Sequence, residues 1–413
     1  MTDATGPAPA LPTGWATRAI LELVSIANGQ VDPRKPQYQD LPLIAPDHIE
    51  SGTGRLLRRE SARSQQAISG KYVVRPGDVV YSKIRPYLEK AFLCGFEALC
   101  SADMYPLTPK ADVDSSFILH TLLGNDFTAF ATSVSARSGI PKLNRAELSE
   151  YTLPTPPPGE QVVIAEALDD VDRSIALLER STAKRLAIKQ GIMQQLLTGK
   201  TRLPGFAEPW IDTTAGEVGS FKGGSGFPLR FQGAKGGMYP FFKVSDMNNP
   251  GNEVFTRTAH NYISEEQRKQ MSAVCFPTNS IVFAKVGAAV FLERKRILTH
   301  NSCIDNNMAA MVVDSARGDG RFVHYLLTNF PMSSLVATTA LPSLNGGQLR
   351  SIPLSLPTDI AEQRAIAAVL ANADAEIAVL RTRLDKSKAI KQGMKQELLS
   401  GRTRLPVLVE AVV

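Results

Sequence analysis

The sequence predicts a mixed α/β (α+β) protein in which two globular modules are separated by two long helices, the helices forming an antiparallel coiled coil within an internal pseudo-twofold repeat. Three observations predict it. Residues 160 to 204 recur at 362 to 406 with a constant offset of 202 residues and no gap, so about half of the 413-residue chain is the repeat unit. Each copy of that segment carries apolar residues at alternating steps of four and three, the stripe of a coiled-coil seam. The stretches before each copy share a skeleton but differ over most of their remaining residues.

Taken in order, residues 1–10 are rich in Ala, Pro and Thr and read as a disordered lead. The first module, 11–158, opens at Leu11-Pro12-Thr13-Gly14-Trp15. Strands are expected at Lys71 to Val74, Asp78 to Ile84 and Lys90 to Cys94, separated by turns at Pro76-Gly77 and Arg85-Pro86. A helix is expected from about Ser116 to Ala131, and a loop at Gly139 to Asn144. Leu153-Pro154-Thr155-Pro156-Pro157-Pro158 must be extended, because each proline biases the residue before it away from the helical region.

The first long helix, 159–202, follows. Its seam is Ile164, Leu168, Val171, Ile175 and Leu178, continuing more weakly through Thr182, Arg185 and Lys189 to Ile192 and Leu196. The second, 359–404, repeats it with Ile366, Leu370, Ala373, Ile377 and Leu380. Prolines precede the first helix, and Gly199 and Gly401 stand where a C-terminal cap belongs. About 40 residues at 1.5 Å each make a helix roughly 60 Å long. Such a helix alone would leave its stripe in water, so the two copies are expected to pair. Antiparallel pairing is favoured, because the chain builds a whole module between the end of one helix and the start of the next.

Between the helices lies the second module, 203–358, with Leu203-Pro204 and Trp210 as a looser echo of Leu11-Pro12 and Trp15. Strands are expected at Tyr239 to Val244, Ser280 to Val286 and Met308 to Val313. Fainter echoes link the modules. Val80-Tyr81-Ser82-Lys83 answers Val282-Phe283-Ala284-Lys285, and Ser101-Ala102-Asp103 answers Cys303-Ile304-Asp305. His120-Thr121-Leu122-Leu123 answers His324-Tyr325-Leu326-Leu327, and Leu143-Asn144 answers Leu344-Asn345. Pro353 to Pro357 is again extended, and residues 405–413 form a C-terminal tail.

Composition sets outer bounds. Apolar residues make up 43% and charged residues 21%, ordinary for a globular chain with two cores. The first residues lack a cationic stretch and an apolar core, so no signal peptide is expected, and no apolar run approaches the ~20 residues of a membrane span. Four cysteines with no C-x-x-C pair suggest free thiols in a cytoplasmic protein. A net charge of +6 permits a polyanionic partner.

No catalytic motif withstands inspection. Gly199-Lys200-Thr201 resembles the end of a phosphate-binding loop, but Gln194 stands at the earlier glycine position, and a helix C-terminus repels phosphate. Asn248-Asn249-Pro250-Gly251 is not the Asn-Pro-Pro-aromatic motif of adenine methylation. Gly223 to Gly226 reads as a flexible loop. Cys275, His300 and Cys303 lack the second close pair of a zinc site, so no metal is expected. His48, His120, His260 and His324 have no partners that would define a triad.

The repeated helix with its Leu-Leu-Thr-Gly-Lys-Thr-Arg-Leu and Leu-Leu-Ser-Gly-Arg-Thr-Arg-Leu endings, the Pro-rich strands before Glu160-Gln161 and Glu362-Gln363, and the Trp15 module start together resemble the specificity subunit of a type I restriction-modification enzyme. The resemblance covers nearly the whole chain; the second module start departs from it, with Trp210 further from its Leu-Pro. It implies that each module is a target recognition domain reading one half of a bipartite DNA sequence. The helices would act as a ruler for the gap and dock two methyltransferase subunits, with restriction/translocase subunits joining them. The chain itself would be a non-catalytic DNA-binding subunit. S-adenosylmethionine, ATP and magnesium would belong to the partners, and no membrane is involved. Divergent modules further imply an asymmetric target.

Base-reading groups are expected among Arg, Lys, Asn and Gln in loops, since these make bidentate contacts to guanine and adenine edges. The candidates are Arg55, Arg58, Lys83, Arg85, Lys142 and Asn144 in the first module, and Lys222, Lys235, Lys243, Lys285, Arg296 and Asn345 in the second. Lys83 and Lys285 stand out because they occupy equivalent places. The alternatives are a structural coiled-coil adaptor that binds proteins, a self-sufficient nuclease or methyltransferase with an unfamiliar site, and a specificity subunit of a related methylation system that is not type I.

Overall fold

The computed structural model describes residues 11–136, 139–336 and 342–406. The expected disordered lead, residues 1–10, and residues 407–413 of the tail lie outside them. The chain divides into two compact units, Met1–Ser181 with Leu380–Val413, and Thr182–Val379. Each unit therefore takes a globular module together with part of both long helices.

In the first unit a four-stranded sheet has the order β2-β8-β5-β6, from Val24–Ile26, Met104–Pro109, Val79–Ser82 and Ala91–Leu93. Its centre, Val79-Val80-Tyr81-Ser82, is buried on both faces, which is why it reads as a continuous apolar run rather than an alternating one. A smaller sheet has the order β3-β7-β4, from Leu43–Ile44, Ala98–Cys100 and Tyr72–Val74. The extended Pro-rich stretch is β9, Thr152–Thr155, paired antiparallel with β1, Ala16–Ala19.

The second unit repeats this plan. A sheet of order β11-β18-β15-β16-β13 uses Gly219–Gly223, Met308–Val313, Ile281–Ala284, Lys295–Leu298 and the added Phe255–Thr256. The smaller sheet, β14-β12-β17, uses Tyr262–Ile263, Tyr239–Phe242 and Cys303–Ile304. Trp210–Thr214 as β10 pairs antiparallel with the second extended stretch, β19, Pro353–Pro357.

The long helices span Pro158–Leu196 and Ile360–Leu398. Within the first unit Asp172 pairs with Lys391 (2.6 Å) and Glu179 with Lys388 (2.9 Å); within the second Lys189 pairs with Asp374 (2.5 Å) and Arg185 with Glu376 (3.2 Å). As the number rises along one helix it falls along the other, so the paired segments run antiparallel in each unit. Ile164, Leu168, Ile175, Ile366, Leu370 and Ile377 are buried, and Val171, Leu178, Ala373 and Leu380 are partly so. Ile164 and Leu168 sit in the first module's apolar core and Ile366 and Leu370 in the second's, so the start of each stripe is module core.

The ends of the helices are fastened by the repeated motifs. Gly199 (φ +66°) lies under the ring of Trp210, and Gly401 (φ +73°) lies against Pro12 and Trp15. Both φ values favour glycine, and a β-carbon at Gly199 would meet the indole at 3.1 Å. Glu160, buried, accepts two bonds from Arg404 (3.0 and 2.8 Å) and one from the Trp15 indole (3.0 Å). Glu362, fully buried, accepts two from Arg202 (2.6 Å each), but the Trp210 indole N–H is buried without a partner among the described residues. Gln161 accepts from the Asp114 amide (3.0 Å) and donates to the Pro156 carbonyl (3.0 Å). Gln363 does the same with Asp319 (2.7 Å) and Pro357 (2.9 Å).

Four expectations need correction. The helix expected from Ser116 to Ala131 is two helices, Ser115–Leu122 and Asn125–Ser135. Gly124 adopts an extended conformation between them, and glycine is a poor helix former. The echo of His120 with His324 is one residue out of register. The helices are anchored at their N-caps, Asp114 and Asp319, which place Phe117 with Phe322, Leu119 with His324 and His120 with Tyr325. His120 Nε2 and Tyr325 Oη then both meet a carboxylate of a long helix, Asp169 at 2.7 Å and Asp374 at 2.6 Å. The echo of Ser101 with Cys303 is two residues out, since Ser101 donates to Ile44 in the place where Asp305 donates to Phe242. Lastly, Gly223 to Gly226 is not a flexible loop. Gly223 ends β11, Gly224 donates to Met308, and a β-carbon on Gly224 would lie 2.0 Å from the Asp305 carbonyl oxygen.

Candidate nucleic-acid interface

In the first module, the chain past the end of β5 is stitched to the loop before a short helix. Leu143 N–H donates to Lys83 O (2.8 Å), Arg85 N–H donates to Pro141 O (2.8 Å), and Ile84 bridges Lys142. These bonds gather Lys83, Arg85, Lys142 and Asn144 at one edge. Arg85 has a left-handed backbone (φ 50°), which turns the chain into the short helical segment Pro86–Leu88. Its side chain and that of Lys142 are exposed and make no ion pair or side-chain hydrogen bond among the described residues. Asn144 caps the helix Arg145–Ser149, accepting from the Glu147 amide (2.9 Å).

Lys83 is 9% exposed, with its ammonium 5.0 Å from the centre of the Tyr105 ring. Burial pushes its pKa down, and the neighbouring charges of Lys142 and Arg145 push the same way, against Tyr72 and Asp103. The edge is thus a place of crowded positive charge.

Arg55 and Arg58 are otherwise engaged. Arg55 bridges Glu50 (2.7 Å) and Glu179 of the first long helix (2.6 Å), the Glu179 bond being the larger cause of its raised pKa. Arg58 pairs with Asp47 (2.6 Å) at the surface.

The second module repeats the stitch. Leu344 N–H donates to Lys285 O (2.8 Å), Gly287 N–H donates to Pro342 O (2.8 Å), Val286 bridges Ser343, and Asn345 caps Gly346–Arg350. Lys285 and Asn345 are therefore brought together as Lys83 and Asn144 are. The other candidates are not joined to them by any described contact. Lys222 is exposed on β11 and Lys235 on the loop before β12, while Lys243 donates to Gln232 (3.2 Å). Arg296 turns inward to the carbonyls of Lys295 (3.0 Å) and Met247 (3.3 Å). Burial, then the charge of Arg294, lowers its pKa.

Sequence reasoning missed Arg145, which bonds Asn28 (2.5 Å) and the Ala27 carbonyl (2.6 Å) and stands 5.9 Å from the Tyr105 ring centre. Its place directly after the capping Asn144 was the available signal. It also missed the Glu160–Arg404 and Glu362–Arg202 clasps, although all four residues lie in the repeat. Among the described residues no three His, Cys, Asp or Glu side chains converge to hold a metal.

The family model of the Type I restriction modification DNA specificity domain matches this chain twice, over residues 12–185 and 207–388. The specificity subunit of the type I restriction enzyme EcoDI of Escherichia coli is 33% identical over 189 residues, which span 46% of this chain and 42% of that one. That of MjaVIII from Methanocaldococcus jannaschii is 22% identical over 419 residues, 96% and 94% of the two chains. The solved S subunit of a type I restriction-modification system from M. genitalium shares the fold, with a TM-score of 0.61 at 14% identity over 97% of this chain and 99% of that one. Two matches to one model, covering most of both units, establish that the chain belongs to the type I restriction-modification DNA specificity domain family.

Proposed function

We propose that the chain is the sequence-reading subunit of a type I restriction-modification complex. Each module reads one half of an asymmetric, bipartite target in double-stranded DNA, and the paired helices set the gap between the halves. Contacts come from the candidates of each module, led by the edge that holds Lys83, Arg85 and Lys142 and by its counterpart at Lys285. Catalysis lies with the partners: two methyltransferase subunits using S-adenosylmethionine, and restriction/translocase subunits using ATP and magnesium. The complex works in the cytoplasm; no described helix is long and apolar enough to cross a membrane.

One observation carries the reading. The specificity domain occurs twice, on one backbone plan whose helix fastenings are repeated while its loop residues differ. Two equivalent partners are supported by the outer helix faces. Leu177 and Val379 occupy the same place in the repeat and are 66% and 52% exposed; Ile188 and Ile390 are likewise equivalent, at 41% and 47%. Each unit thus offers two of these repeat-equivalent apolar side chains to water, the kind of surface a docked protein covers.

Methylome sequencing of a host expressing the cognate methyltransferase, with and without this chain, tests the proposal. A new split motif, two different half-sites about a fixed gap, is expected. No new methylation from an assembled complex would refute it.

A further inference from the structure

Lys83 and Lys285 are not merely similar in sequence. Lys83 follows β5 and Lys285 follows β15; each donates its backbone N–H to the segment entering the next central strand, to Asp103 O (3.0 Å) and Asn307 O (2.8 Å). Each accepts from the loop leucine, Leu143 or Leu344, at 2.8 Å. The backbone therefore delivers both lysines to one structural position. What surrounds them differs in a coordinated way. Strand pairing sets Tyr81 opposite Tyr105 and Phe283 opposite Ala309, so Tyr105 corresponds to Ala309. Extending the pairing of β2 with β8 and of β11 with β18 sets Asn28 against Gly223. The shared N-cap asparagine sets Arg145 against Gly346. The Asn28–Tyr105–Arg145 group that walls in Lys83 is thus reduced to Gly223, Ala309 and Gly346 around Lys285, whose Nζ would lie 2.7 Å from a β-carbon on Gly223.

A charged group retained where Asn28, Tyr105 and Arg145 have given way to Gly223, Ala309 and Gly346 has a task that does not depend on those neighbours. Lys83 makes that task explicit. Its side chain is 9% exposed and its ammonium stands 5.0 Å from the Tyr105 ring centre, hydrogen-bonding to nothing among the described residues, so the charge is held in place with its donors free for a ligand. An ammonium contacts phosphate as a point charge wherever the duplex backbone passes, whereas as a base reader Lys is limited to guanine, so two modules with different half-sites share a phosphate contact more readily than a base contact.

Resting on the reading of the chain as a bipartite DNA reader, we propose that Lys83 and Lys285 are matched phosphate contacts, one per half-site at the same place in each module. Sequence discrimination at this edge falls to the residues around them, Arg145 with Asn28 in the first module, which have no counterpart in the second. Phosphate contact fixes the register of a module on the duplex and carries no sequence information of its own.

The test uses the assembled methyltransferase complex and a duplex bearing the motif that the wild-type complex methylates. Lys83→Met and Lys285→Met keep the aliphatic stem and remove the charge; Lys83→Arg and Lys285→Arg restore it; thermal unfolding checks that each variant folds. Each Met variant is expected to reduce the slope of log affinity against log salt by about 1, to leave the methylated motif unchanged, and to be rescued by its Arg variant. A changed motif in a Met variant would make the lysine a base reader and overturn the proposal. An unchanged salt slope in folded variants would remove the lysines from the interface and overturn it too. Wild-type complex that yields no split motif would instead defeat the underlying reading, which keeps the two failures apart.

Discussion

His324 shows how one residue's surroundings set its chemistry. Burial presses its pKa down to about 4; the Lys295 carbonyl, 3.1 Å from Nε2, works against that and Arg296 works with it. A histidine whose folded pKa lies below its unfolded value of ~6.5 contributes stability at neutral pH, and that stability is lost as pH falls from ~6.5 through about 4. The loss is on the order of 3 kcal/mol. The corresponding residue of the first module is Leu119, also nearly buried, so His324→Leu fits the site's geometry. Melting temperatures of wild type should fall between pH 6.5 and 4 more steeply than those of His324→Leu; parallel curves would show that the imidazole does not titrate against folding. Only the N-cap register identifies Leu119 as the equivalent, because matching histidine to histidine along the sequence misses it.

Among the elements, the long helices carry the most specific side-chain pairing. Asp172–Lys391 and Lys189–Asp374 are equivalent under the repeat, and both lysines lie on the 4-3 stripe where a hydrophobic seam weakens. A polar pair at such a place fixes register, since sliding one helix by a turn would strand a partly buried charge. Asp172→Lys or Lys391→Asp alone should destabilise the first unit, and the double exchange should recover about 2 kcal/mol of coupling in a denaturation cycle. Additive single effects would mean the pair does not hold the register. The lysines were visible in the stripe as interruptions. Their meaning was not, because the partner aspartates are far away in sequence and on the other helix.

For the whole molecule, the repeat extends to what the surface exposes. Leu177→Glu combined with Ile390→Glu changes the two repeat-equivalent apolar side chains of the first unit and leaves Val379 and Ile188 of the second intact. If two methyltransferase subunits dock as proposed, such a variant should assemble with one and the wild type with two, a difference native mass spectrometry resolves. Full occupancy would place the docking surface elsewhere. The compact units also cut across the linear order of modules and helices, since Leu380–Val413 returns to the first unit and Arg404 and Gly401 fasten onto Glu160 and Trp15.

The sequence by itself determined the repeat, the two long helices, the extended proline strands and the strands expected at Asp78 to Ile84 and Ser280 to Val286, whose buried cores are Val79–Ser82 and Ile281–Ala284. All of these are written in local periodicity, in a proline's backbone limits or in self-similarity at one offset. Tertiary structure alone decided the true register between modules, the role of Glu-Gln as acceptor of a distant arginine and anchor of a distant helix cap, and the unpartnered ammonium of Lys83. Those depend on residues tens to hundreds of positions apart meeting at a few ångströms. Sequence spacing records how far apart residues are along the chain, whereas charge pairing, capping and desolvation depend on distance in space.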